Sequence, residues 1–400
     1  MSAMESARPQ PRSEKADSLS PDRNLGALRA WAQQQRFSPP WWLRQADLQT
    51  CWYVVREVAA GLRDRRITAS QIWHFIIGQE KNYFSQGRRE KSRRPDAAHS
   101  GEARVPAGQP LGWTASEPVE IPFGDGGFLT GLLDEAGGNS RLAILFHGLE
   151  GSAEATYIRG TAQRLSERSI SALRVNMVNC GGSEACTQRF YHAGFTQMVE
   201  ISVRWSLRRG FRQIALIGFS LGGNLVLKYL GDCNVSLAPE VVGGAAASAP
   251  IDLAESCAYI DRPRNRFYRY RFLRSMSRTL RRKQQLFPDL FPVPIEPVTT
   301  IREFDHRYTA PASGFAGAAE YYQTASSLQC LAAIGRPVLV LQAHDDLYIP
   351  FKTFQNYPWS SNPNLIPLFP WQGGHLGFHA SARENWMEAT VAEFCDRLMV

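Results

Sequence analysis

Ser220 lies in Gly218-Phe219-Ser220-Leu221-Gly222, His375 lies in Gly373-Gly374-His375-Leu376-Gly377, and Asp345 and Asp346 fall between them. A serine hydroxyl is a weak nucleophile until a base takes its proton. An imidazole can do this near neutral pH, and a carboxylate behind it fixes the tautomer and steadies the charge it acquires. Serine, acid and histidine are together the parts of an acyl-transfer site. The pentapeptide alone arises by chance, so its setting decides what it is worth. Gln213-Ile214-Ala215-Leu216-Ile217 precedes it as a buried strand, and Gly223-Asn224-Leu225-Val226-Leu227-Lys228-Tyr229-Leu230 follows as a helix. A serine on such a strand-to-helix turn is lifted to the edge of the sheet, the arrangement called a nucleophile elbow. Gly218 and Gly222 are expected there because the backbones approach too closely for a Cβ.

Three other elements must position the rest. Pro337-Val338-Leu339-Val340-Leu341-Gln342-Ala343 reads as a strand running into His344-Asp345-Asp346-Leu347-Tyr348-Ile349-Pro350. Its carboxylates therefore fall at the carboxyl edge, where open sheets build their sites. Asp345 and Asp346 alternate in direction, so one of them can face His375. Asn364-Leu365-Ile366-Pro367-Leu368-Phe369 reads as the last strand, and the Gly-rich loop after it carries His375, the expected base. The oxyanion of a tetrahedral intermediate needs two N–H donors. One is assigned to Leu221, after the nucleophile. The other is assigned to Leu149, in His147-Gly148-Leu149-Glu150-Gly151 after the strand Leu142-Ala143-Ile144-Leu145-Phe146. His147 is read as shaping that loop, because His375 already supplies a base.

Strands are expected at 142–146, 169–176, 213–218, 241–248, 337–343 and 364–369, alternating with helices. A hairpin over 118–121 and 128–133, turning at Gly124-Asp125-Gly126-Gly127, precedes them. The alternation predicts a mostly parallel, doubly wound α/β sheet. The 251–336 connection is too long for an ordinary loop and is expected to cap the site. Within it, Arg262, Arg264, Arg266, Arg269, Arg271, Arg274, Arg278, Arg281, Arg282 and Lys283 interleave with Phe267, Tyr268, Tyr270, Phe272 and Leu273. Two readings stay open for this run. It is either a solvated helix face whose aromatics pack on the sheet, or a surface for an anionic membrane or anionic acyl substrate.

Charge separates the chain into parts. The net charge is +8, and residues 1–115 hold 18 Lys and Arg against 11 Asp and Glu. Residues 1–24 read as a disordered tail and 25–112 as a partly helical basic extension with a linker; 113–400 read as the catalytic domain. With 44% hydrophobic residues, that domain can bury a core. Seven scattered cysteines suggest a reducing compartment rather than a disulfide frame. No secretory signal or run of eighteen apolar residues is seen, so the expected location is the cytoplasm. His375 and His379 have a zinc-site spacing, but Leu376-Gly377-Phe378 offers no glutamate base between them. No metal or cofactor is called for. A carboxylate-nucleophile hydrolase is excluded by Ser220. The basic arm allows nucleic-acid contact, but no recognisable module supports it.

The chain also resembles a known family, the YheT-like branch of the α/β-hydrolases, which includes mammalian ABHD-type acylglycerol and ester hydrolases. The resemblance rests on residues 147–152, Asn179-Cys180-Gly181-Gly182-Ser183-Glu184, Tyr191-His192-Ala193-Gly194 and 218–224. It continues through Ser248-Ala249-Pro250, Phe304-Asp305, Thr309-Ala310-Pro311 and 374–378. Pro39-Pro40-Trp41-Trp42-Leu43 and Leu48-Gln49-Thr50 are similar to the segment that usually opens such proteins. Here about sixty residues separate that segment from the first strand, far more than the family's short link. The resemblance implies an α/β-hydrolase fold with a helical cap and a Ser-Asp-His esterase acting on small-molecule acyl esters, lipophilic or short. In related folds the acid stands four residues before a proline, which implies Asp346 rather than Asp345.

Overall fold

The computed structural model describes residues 21–52 and 116–399, apart from 139, 291–293 and 382–383. The readings placed on 1–20 and on 53–115, the linker among them, lie outside the described residues.

Eight strands form one sheet: β1 Glu117–Pro122, β2 Phe128–Asp134, β3 Arg141–Phe146, β4 Ser171–Val175, β5 Gln213–Phe219, β6 Val241–Ala247, β7 Val338–Leu341 and β8 Leu365–Leu368. Their order is β1-β2-β4-β3-β5-β6-β7-β8. β2 is antiparallel to both neighbours, and the pairings from β4 to β8 are parallel. β1 alternates exposed and buried residues over its second half, whereas β4 and β7 are buried throughout. Parallel strands read as continuous apolar runs because helices cover both faces. On one face lie α3 Gln197–Arg208 and α4 Leu221–Gly231, with Met198, Val199, Leu225 and Val226 in the core. On the other lie α2 Thr156–Ser166 and the C-terminal α8 Trp386–Leu398, through Ile158, Leu165, Val391 and Phe394.

The first helix, α1, spans Pro21–Gln34 and joins this second layer. Leu28, Trp31 and Ala32 share one helical face and are buried with Phe394 of α8. The Trp31 indole also donates to Glu393 Oε1 at 2.7 Å. The segment 1–24, read as a disordered tail, thus already contains the start of a helix at Pro21. Periodic apolar residues with a surface to cover outweighed the Ser- and Pro-rich composition.

Between β6 and β7 the cap holds α5 Leu253–Ile260, α6 Arg266–Leu286, a helical run over 301–312 and α7 Ala318–Ala325. It has its own core, including Leu253, Cys257, Leu273, Met276, Leu280, Phe304, Tyr321 and Tyr322. α6 carries eight Lys and Arg and no acid. Its aromatics do not pack on the sheet, contrary to that reading. Tyr268 and Phe272 meet Tyr348 in the loop after β7, at ring distances of 5.0 and 5.6 Å, while Phe267 and Tyr270 are exposed. The inward face is Leu273, Met276, Leu280 and Lys283, spaced as a helix requires. Among the described residues, no helix is long and apolar enough to cross a membrane.

Candidate active site

The turn between β5 and α4 holds Ser220 at φ 52° and ψ −121°, a strained backbone for a residue with a Cβ. Its surroundings enforce it. Ser220 N donates to Ala247 O at 2.8 Å, and Ser220 O accepts from Gly223 N at 2.8 Å. A Cβ on Gly218 would stand 2.1 Å from Gly222 O, and one on Gly222 2.3 Å from Phe146 O. Both flanking positions therefore exclude every other residue.

The structure brings Ser220, His375 and Asp346 into contact. His375 Nε2 lies 3.0 Å from Ser220 Oγ, and Nδ1 lies 3.1 and 3.0 Å from the two Asp346 carboxyl oxygens. The Asp346 carboxyl is buried and accepts from Tyr348 N at 2.8 Å, Ile349 N at 3.0 Å and Gln342 Nε2 at 3.0 Å. An acceptor-only carboxylate makes Nδ1 the donor, which leaves the Nε2 lone pair facing the serine. Asp345 turns away. Its Oδ1 accepts from Gly374 N at 2.8 Å, and burial holds its carboxyl above the usual range.

The loop after β3 passes directly beside Ser220, since a Cβ on Gly148 would lie 3.0 Å from Ser220 Cβ. Leu149 and Leu221 both line the cavity at the serine. Leu221 begins α4, so its N–H is one of those without an acceptor inside the helix. His147 is fully buried and burial lowers its pKa to about 4, which keeps it neutral. Its Nε2 accepts from Met177 N at 3.1 Å, so Nδ1 carries the proton and donates to Gly148 O at 2.7 Å. It braces the loop, as read.

A cavity of about 870 Å³, including its mouth, opens from Ser220 under the cap. Leu253, Ile260, Phe272, Met276, Ile301 and Phe304 form much of its apolar wall.

Residues 144–380 match the family model described as alpha/beta hydrolase fold. The chain belongs to the α/β-hydrolase fold family. YheT, a candidate esterase of Escherichia coli, is 29% identical over 259 residues, covering 63% of this chain and 75% of that protein. The monoacylglycerol lipase of Saccharomyces cerevisiae is 28% identical over 270 residues, covering 63% of this chain but only 58% of the lipase. A solved esterase of Pyrococcus furiosus is 19% identical, with a TM-score of 0.48, over 72% of this chain and 94% of that one. The likeness to the YheT-like branch read from the sequence therefore holds.

In this α/β-hydrolase the polar residues of the cavity wall were not singled out as site residues from the sequence. Glu150, at φ 56°, accepts from Ser275 Oγ at 2.7 Å and Thr279 Oγ1 at 2.9 Å, tying α6 to the loop after β3. Asp305 is buried among cap residues and accepts from Tyr322 OH at 2.8 Å. Both stand inside segments that carry the family likeness, but sequence alone gave them no partners. Burial raises the Asp305 pKa to about 6. A raised acid pKa means that the folded state binds the proton more tightly than the unfolded chain. Its stabilising contribution is complete below the ordinary carboxylate range and is lost as pH climbs through about 6. Asp305→Asn should accordingly gain stability relative to wild type between pH 4 and 7, measured as denaturant midpoints. A wild-type-to-variant difference that does not change with pH would refute this.

Proposed function

We propose that this α/β-hydrolase is a serine carboxylic-ester hydrolase acting on lipophilic or medium-chain acyl esters. One observation carries the reading: the His375 imidazole bridges Ser220 Oγ and the buried Asp346 carboxylate at the wall of an apolar cavity. Ser220 Oγ attacks the ester carbonyl while His375 Nε2 takes its proton, and Asp346 steadies the imidazolium that results. The N–H groups of Leu149 and Leu221 receive the developing oxyanion. Collapse of the tetrahedral intermediate breaks the C–O bond, and His375 returns the proton to the departing alcohol. Water, activated by the same imidazole, then hydrolyses the acyl-enzyme and restores Ser220.

The apolar cavity wall supports this substrate class. The cap's aromatics at 267–272, with Leu286-Phe287 and Leu290-Phe291, are candidates for that wall, and Trp371 stands on the His375 loop. Of these only Phe272 lines the cavity among the described residues, Phe291 lying outside them. Phe267, Tyr270 and Leu286 are exposed because α6 turns its other face inward, and Leu290 and Trp371, outside that helix, are exposed as well. Residues of α5 and the 301–322 region supply most of the apolar wall, with Met276 beside Phe272 on the inward face of α6. Each methylene buried against such a wall contributes about 0.8 kcal/mol, so kcat/KM should rise up to roughly fourfold per carbon. A p-nitrophenyl ester series is expected to climb from C2 toward C8. A flat or falling series would overturn the lipophilic reading and leave a short-chain esterase.

A further inference from the structure

The Leu48-Gln49-Thr50 segment has so far had no role, yet it lies against the loop that carries His375. Residues 46–52 are helical. Thr50 Oγ1 accepts from the backbone N–H of His375 itself at 2.9 Å, across 325 residues of chain. Gln49 is completely buried and binds His379 twice, accepting from its N–H at 2.7 Å and donating to its carbonyl at 3.3 Å. Gln372 Nε2 donates back to Arg44 O at 3.2 Å. The fit leaves no slack. A Cβ on Gly374 would stand 2.6 Å from both Ala46 O and Thr50 Oγ1, and one on Gly377 2.6 Å from the Gln49 carbonyl.

This loop needs an outside brace. Leu376 and Phe378 have φ of 57° and 47°, so the backbone beside His375 twice enters a region that residues with a Cβ rarely adopt. Such a conformation persists only where neighbours over-determine it. A second path joins the same segment to the imidazole. Tyr268 OH donates to Asp47 Oδ1 at 2.8 Å, the Tyr268 ring meets Tyr348 at 5.0 Å, and Tyr348 meets His375 at 4.4 Å.

We propose that Thr50, supported by Gln49, is a positioning residue that holds His375 in line with Ser220 and Asp346. The inference rests on His375 being the base of the proposed function. Thr50 touches no reacting atom; it anchors the peptide from which the imidazole projects. Removing its acceptor lets the loop shift, and a displacement of about 1 Å at a catalytic group can cost up to ~10²-fold in rate.

The test uses the full chain and Thr50→Val, which preserves shape while removing the hydroxyl, beside Thr50→Ser, which restores it. Activity is measured on the best p-nitrophenyl ester and expressed per serine that a fluorophosphonate can label, so that unfolded protein is not counted. The Val variant should lose roughly 10- to 100-fold in kcat with KM within about twofold, and Ser should recover most of it. The acidic limb of the kcat/KM profile should also move in the Val variant, because the imidazole no longer sits squarely on Asp346. A purely structural contact would lower the melting temperature and leave both kcat per labelled site and the pH limb unchanged; that outcome overturns the proposal. A poorly folded Val variant is replaced by Thr50→Ala, judged by the same per-site rate and pH limb. Ser220→Ala, run in parallel, separates the two ideas. Activity surviving in Ser220→Ala would reject the serine mechanism, whereas activity surviving only in the Thr50 variants rejects the brace.

Discussion

Ser220→Ala should reduce kcat for ester hydrolysis by at least ~10³-fold and abolish labelling by a fluorophosphonate. The loss is large because the covalent route disappears entirely, leaving only binding and the oxyanion donors. It should come without unfolding. The hydroxyl is hydrogen-bonded to His375 Nε2, while the elbow is held by backbone bonds to Ala247 and Gly223 that alanine also makes. A net hydrogen bond contributes about 1 kcal/mol, so the melting temperature should move by only a few degrees. Retention of most of the activity by a folded Ser220→Ala protein would show that another group performs the chemistry.

His375→Ala and Asp346→Asn are expected to fall nearly as far, by ~10³- to 10⁴-fold in kcat. The asparagine case is the more informative of the two. The Asp346 carboxylate takes hydrogen bonds from two backbone N–H groups, the Gln342 amide and His375 Nδ1. An amide cannot accept from all of them. If its NH₂ faces the imidazole, Nδ1 must become the acceptor and Nε2 then presents a proton to Ser220 instead of a lone pair. Asp345→Asn should leave kcat within a few-fold, because an amide oxygen can still accept from Gly374 N–H. Equal losses at both positions, or a larger loss at Asp345, would remove Asp346 from its assigned role. Rates per labelled serine for the three variants distinguish these results.

How far these residues could be found in advance depends on the range over which each signal acts. Strand β5, the two glycines and α4 are contiguous, so steric necessity wrote the elbow into a dozen neighbouring residues. The sheet was legible for a similar reason. Strands covered on both faces must be apolar throughout, and the runs at 142–146, 213–218 and 337–343 fall within about two residues of β3, β5 and β7 at either end. The hairpin at Gly124-Asp125-Gly126-Gly127 forms as its turn residues require, with Gly124 and Gly126 at φ 92° and 88°. Strand position also pointed to Ser220, to His375 and to the Asp345-Asp346 pair, each of which ends or follows a recognisable strand, while the choice of Asp346 within the pair came from the family resemblance.

Signals that act between distant segments were not legible. α6 is rich in aromatics on several sides, and composition could not tell which side would face the cavity. The cap's packing turned Phe272 and Met276 inward and left Phe267 and Tyr270 in water. The buried carboxyl of Asp305 beside Tyr322 likewise depends on two cap segments meeting. The hold of Thr50 and Gln49 on the His375 loop depends on contacts across more than three hundred residues. By itself, then, the sequence determined the order of the strands along the chain, the elbow and the candidate nucleophile and base, and it narrowed the acid to two adjacent aspartates. The tertiary structure alone decided the cavity wall and the brace behind His375. Periodicity and turn chemistry constrain a residue through its near neighbours, whereas a cavity and a strained loop are defined by segments that only folding brings together.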